Sequence, residues 1–186
     1  NNLELTGTLI QDLGEEAALG EEIHHINEHS IELAVVWLHY FLRRANGRDS
    51  YKSLPTVVPV LCGNMMPYIK GEQDPTQDEG FAALLGGLGD SMKERRTLVV
   101  VAGDLAHVGP AFGDSTGWDE LALAQLRAAD HASIDAMCNG DAENFFTSVQ
   151  DDGDSRKICG LTPIYLGLRL LGDTVSGERL GYAQCL

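Results

Sequence analysis

The sequence predicts an α/β fold in which a mixed, largely buried sheet carries helices on both faces. Two β-branched apolar runs predict the sheet: Leu54-Pro55-Thr56-Val57-Val58-Pro59-Val60-Leu61-Cys62-Gly63 and Arg95-Arg96-Thr97-Leu98-Val99-Val100-Val101-Ala102-Gly103-Asp104. Continuous apolar strands bounded by breakers are those buried on both faces. Between and after them, apolar residues recur at spacings of three and four, and strand alternating with helix is the pattern of α/β folds.

In chain order, Leu3, Leu5, Leu9, Ile10 and Leu13 in near-alternation predict a short edge strand, followed by a helix start within residues 1–20. From Asn27, read as an N-cap, the stripe Ile31, Ala34, Val35, Leu38, Phe41 and Leu42 predicts a helix that stops at Arg43-Arg44 before a turn over Asn46 to Ser50. Residues 64–77 read as a loop and 80–92 as a helix weakened by internal glycines. After the second strand, 109–116 reads as a loop, 118–138 as a long helix and 141–150 as a helix capped by Asp141. Pro163 to Leu171 predicts a helix closed by Gly172. Leu180 to Ala183 predicts a last strand.

With 186 residues, 44% apolar and 22% charged, the chain reads as one globular domain, residues 1–186. A net charge of −15 repels phosphate backbones and anionic membrane surfaces, so nucleic acid and membrane are excluded as expected partners. Cys62, Cys138, Cys159 and Cys185 lie far apart with no C-x-x-C pair, which fits a reduced, cytoplasmic setting. No apolar run approaches the ~20 residues that span a bilayer. The start at Asn1 and the strand-like end at Gly-Tyr-Ala-Gln-Cys predict a chain lacking an N-terminal portion.

Three polar clusters fall at junctions between predicted elements: Glu28-His29-Ser30, Asp104 with His107, and Cys159-Gly160. Imidazole, carboxylate and thiolate are the ligand types of iron, copper and zinc. Each residue alone also has a plain structural reading, as a helix cap, a loop residue satisfied by a carbonyl, or a packed thiol. Asp104 resists that reading, because a carboxylate directly after a buried run needs a partner or a pocket. Cys159 with His29 or His107 also suits a thiol nucleophile and its base, with the Gly160 amide as oxyanion donor. His24, His25, His39 and His131 have no supporting context. No P-loop, nucleophile elbow or dinucleotide fingerprint is present. Asp151-Asp152-Gly153-Asp154 resembles part of a calcium loop without its closing glutamate.

The segments "EHSIEL" (28–33), "AGDLAHVGPAFGD" (102–114), "AADHASIDAMCNGDAENFF" (128–146) and "CGLTPIYLGLRLL" (159–171) resemble, in order and spacing, the MEMO family, which includes the AmmeMemoRadiSam system protein B group. The resemblance implies a fold related to LigB-type class III extradiol dioxygenases and a non-heme mononuclear pocket for Fe(II) or copper. It implies His29 and Cys159 as metal ligands and Asp104 and His107 as pocket residues, with His107 as acid/base and Asp104 orienting it. A first histidine ligand, from a Pro-His-Ala-Gly-Tyr type motif, has no counterpart here. Ala34-Val35-Val36-Trp37 and Ala111 also depart from the family pattern. The functional expectation is therefore a MEMO-like metal protein with dioxygenase-like or redox activity on a small molecule. The alternatives are a non-catalytic module that binds a peptide or small ligand, and a Cys/His hydrolase.

Overall fold

A computed structural model describes residues 2–46, 55–115 and 117–185. Its described residues are helical and contain no β-strand, which corrects the expected α/β fold with a buried mixed sheet. The helices are α1 (Leu3–Leu13), α2 (Glu15–Leu19), α3 (Ser30–Asn46), α4 (Met66–Ile69), α5 (Glu79–Glu94), α6 (Glu120–Cys138), α7 (Ala142–Asp151) and α8 (Leu161–Leu171). Short 3-10 turns lie at Glu22–Ile26, Pro75–Gln77 and Pro110–Phe112.

The correction has a physical origin. β-branched residues favour a pleated, half-buried surface, but a strand exists only when its N–H and C=O groups pair with another strand, and that pairing is not encoded locally. Among the described residues of 55–63, 96–104 and 180–183 no such ladder forms. Leu98, Val100 and Val101 are exposed rather than buried. The predicted edge strand near the start is instead helical: Leu5, Leu9 and Leu13 recur every four residues, and the Asn2 side chain caps α1 by accepting from the Leu5 amide (3.2 Å). Leu54 and residues 47–50 of the predicted turn lie outside the described residues.

The described chain groups into two compact units. The first comprises residues 1–62 and 78–102, where α1 packs on α5. Gly87 permits that packing, since a Cβ there would meet Leu9 Cδ2 at 2.7 Å, and Leu9 is the buried residue of α1. Asp78 caps α5 by accepting from the Phe81 amide (2.7 Å). In α3 the predicted stripe is half-buried except for exposed Phe41, which stacks with Trp37 at 5.8 Å and meets the Tyr40 ring edge at 5.4 Å.

The second unit comprises residues 63–77 and 103–186. Here α7 packs against α4, α6 and α8. Asp119 and Asp141 cap α6 and α7 by accepting from the Ala122 and Asn144 amides (2.8 and 2.9 Å). Met65, Phe145, Val149 and Tyr165 fill the core. At about 25 cal/mol per Å² of apolar surface removed from water, these large side chains are the unit's main stabilising term. Among the described residues no helix is long and apolar enough to cross a membrane.

Candidate metal centre

The second unit brings together three of the four predicted site residues. One donor atom each from Asp104, His107 and Cys159 lies within 4.8 Å of the others. Cys159 is the residue two before α8, and Asp104 and His107 belong to the loop that follows the Leu98–Ala102 run.

Two backbone hydrogen bonds tie that loop to the approach to α8: the His107 amide donates to the Arg156 carbonyl (2.8 Å) and the Gly160 amide to the Asp104 carbonyl (3.0 Å). The segments cross so closely that a Cβ on Gly103 would fall 2.5 Å from Gly160 Cα. A Cβ on Gly160 would in turn meet the Asp104 carbonyl oxygen and Ile164 Cδ1 at 2.9 Å. Glycine at both positions is what permits the crossing.

The crossing places Cys159 Sγ 3.2 Å from the Asp104 amide, which donates to it. The same sulfur lies 3.7 Å from the Asp104 carbonyl, so both the amide and the carbonyl of Asp104 lie against it. The imidazole of His107 is oriented at Nδ1 by the Leu105 carbonyl (3.2 Å). In the neutral ring that contact fixes the proton on Nδ1 and leaves the Nε2 lone pair toward the site. Asp104 Oδ2 stands 3.8 Å from Nε2, outside hydrogen-bond range, so the carbonyl rather than the carboxylate sets the ring's direction. The Phe112 ring packs edge-on against the imidazole at 4.8 Å.

Ion pairs behind the three donors hold this loop. Lys157 Nζ donates to the Phe112 carbonyl (2.9 Å) and to Asp114 Oδ1 (2.6 Å), and Asp114 Oδ2 accepts from the Trp118 indole (3.1 Å) and from the Gly109 amide. The Lys157 bond first, then the Gly109 amide and Trp118, pull the Asp114 pKa down to about 2. Beneath it, the buried Arg156 guanidinium pairs with Asp130 (3.1 Å) and Asp152 (3.0 Å) and donates to the Ser133 hydroxyl (3.0 Å). Asp152 and Asp154 also accept from the Ser155 and Ile158 amides, so the acidic turn braces the approach to Cys159. Sequence reading missed Asp114, Asp130, Arg156 and Lys157. The signal was the pair of cations, Arg156-Lys157, in an otherwise acidic turn.

His29 lies in the first unit, directly before α3. Its carbonyl accepts from the Leu33 amide (2.9 Å), so it takes the cap position expected of Asn27. The Glu28 carboxylate accepts from the Ser30 amide (2.7 Å), a bond that holds the Glu28 carboxyl below its ordinary value. The His29 side chain is 81% exposed and stands 3.8 Å from Glu28 Oε1.

The donor set in the second unit fits a metal. Thiolate, imidazole nitrogen and carboxylate oxygen together suit a divalent ion of intermediate softness such as iron, copper or zinc, and three protein ligands leave positions open for another group. The hydrolase arrangement fits less well, because the Gly160 amide already donates to the Asp104 carbonyl.

A MEMO1 family protein of Aquifex aeolicus (strain VF5) is 27% identical over 158 residues, covering 83% of this chain and 46% of that protein. The chain thus spans about half the length of the curated relative it matches. No solved structure matches. A family model described as "Memo-like protein" matches residues 3–185, so the chain belongs to the Memo-like family.

Proposed function

We propose that Asp104, His107 and Cys159 form a mononuclear metal pocket, and that redox or dioxygenase-like chemistry on a small molecule is the activity it serves. The observation that carries this reading is the convergence of a thiolate, an imidazole and a carboxylate donor within 4.8 Å at a backbone crossing built from two glycines. A bound iron or copper ion would supply Lewis acidity and one-electron redox chemistry. The chain's own residues do the rest. The Asp104 amide donates to the Cys159 sulfur, the Leu105 carbonyl aims the imidazole, and the Phe112 ring packs against the imidazole. His107 Nε2, with its lone pair free, either ligates or accepts a proton from a bound ligand.

The four cysteines are free thiols, which supports placing the protein in the cytoplasm. Metal analysis of protein purified under anaerobic conditions tests the reading. Cys159→Ala and His107→Ala are expected to lose at least about tenfold in metal affinity, no less than loss of a partner behind a ligand costs. Metal content unchanged in both would contradict it. A non-catalytic module is the second reading, favoured by the open position of Asp104, whose side chain is 84% exposed. It predicts ligand binding without turnover in the metal-loaded protein.

A further inference from the structure

The tail after α8 runs back along α6. The Gly177 amide donates to the Cys138 carbonyl (2.6 Å), the Tyr182 hydroxyl to Asp130 (2.8 Å) and the Gln184 side-chain Nε2 to the Leu123 carbonyl (3.2 Å), so contacts step from the end of the helix to its beginning. A surface cleft of about 540 Å³ opens along this seam, lined by Arg127 and His131 of α6 and by Arg179, Tyr182 and Gln184 of the tail.

The charge of the cleft is opposite to that of the chain. In a protein of net charge −15, two arginines line this cleft. Arg127 donates to the neutral Gln184 side chain (3.0 Å), and among the described residues neither Arg127 nor Arg179 is paired with a carboxylate. Asp130, the acid behind the cleft, is buried and paired with Arg156. The Tyr182 ring, held by Asp130 and met edge-on by His131 at 4.9 Å, gives the cleft an aromatic wall.

We propose that this cleft binds a small organic phosphate, with Arg127 and Arg179 taking the phosphate oxygens and the Tyr182 ring supporting the organic group. Two permanent, unneutralised cations match a dianion, and the guanidinium fork matches phosphate oxygens bidentately. The site lies apart in sequence from the metal ligands and does not rest on that reading.

Calorimetric titration with phenyl phosphate tests the proposal. Saturable one-to-one binding is expected, weakened at least about tenfold by Arg179→Gln and by Arg127→Gln, since each removes a charge-assisted contact. Because Arg127 also braces Gln184, Arg179→Gln is the decisive variant. Lys70→Gln, at an exposed lysine outside the cleft, and Cys159→Ala should leave the affinity unchanged, and benzoate should bind at least about tenfold more weakly. Absence of saturable binding, equal affinity in Arg179→Gln, loss in Cys159→Ala, or benzoate binding as tightly as phenyl phosphate would each overturn it.

Discussion

Two helices of this protein begin beside a predicted metal ligand, α3 after His29 and α8 after Cys159, and they are built differently. In α8, six residues, Leu161, Thr162, Tyr165, Leu166, Gly167 and Leu168, are buried. The described side chains of α3 include none that is fully buried, and Leu33, Val36, Trp37, Tyr40 and Phe41 are exposed. The entry to α8 is fixed from outside the helix, by the Gly103/Gly160 crossing and the Gly160–Asp104 hydrogen bond. The entry to α3 is fixed locally, by Glu28 on the Ser30 amide. A ligand held by packing and long-range bonds keeps its geometry when a neighbour moves. A ligand held by one cap does not.

That contrast predicts a descending series of effects. Arg156→Ala should be the most damaging, because it leaves the buried Asp130 carboxylate without its cation, with only the Tyr182 hydroxyl as partner among the described residues; about 3–5 kcal/mol of unfolding free energy should be lost, read by urea denaturation. Gly160→Ala comes next, at about 1–3 kcal/mol, since its new methyl collides with the Asp104 carbonyl and Ile164. The equivalent disturbance at α3, Glu28→Gln, should cost about 1 kcal/mol or less, as loss of a charged cap does. Equal losses for Gly160→Ala and Glu28→Gln would break the comparison.

The smallest effect should come from Lys157→Met, and it should appear in a titration. Asp114 is depressed from its ordinary 3.8 to about 2. A depressed carboxyl contributes stability that is present above its unfolded value and lost as pH falls through the folded one. The stabilisation from Asp114 should therefore fade between about pH 4 and pH 2 in the natural protein. Removing the largest cause, Lys157, should raise the Asp114 midpoint toward 3.8 in a carboxyl-detected NMR titration. An unmoved midpoint would show that the Gly109 and Trp118 bonds suffice.

Much of the helical framework was legible in the sequence, and for a clear reason. The caps at Asp141 and Gly172 and the apolar stripes of α3, α6, α7 and α8 are local signals, readable within a turn or two. That no sheet forms among the described residues was not legible, because the valine runs at 55–61 and 98–101 state a preference for extended backbone without naming a partner. The first helix was misread because Leu3 and Leu5 mimic alternation while Leu5, Leu9 and Leu13 carry the true period. At the site, Asp104, His107 and Cys159 were identified as residues, and the structure supplies their meeting. The Leu105 carbonyl, Arg156 and Lys157 could not be assigned roles from spacing, since each acts across tens of residues or through backbone atoms. His131 has no local context that points to the cleft it lines.

X-ray absorption spectroscopy of the iron- or copper-loaded protein tests the central claim most directly. The proposed metal pocket predicts one sulfur scatterer at about 2.3 Å together with nitrogen and oxygen neighbours, the sulfur lost in Cys159→Ser and retained in Cys62→Ser. A spectrum with no sulfur, or one unchanged by Cys159→Ser, would contradict it.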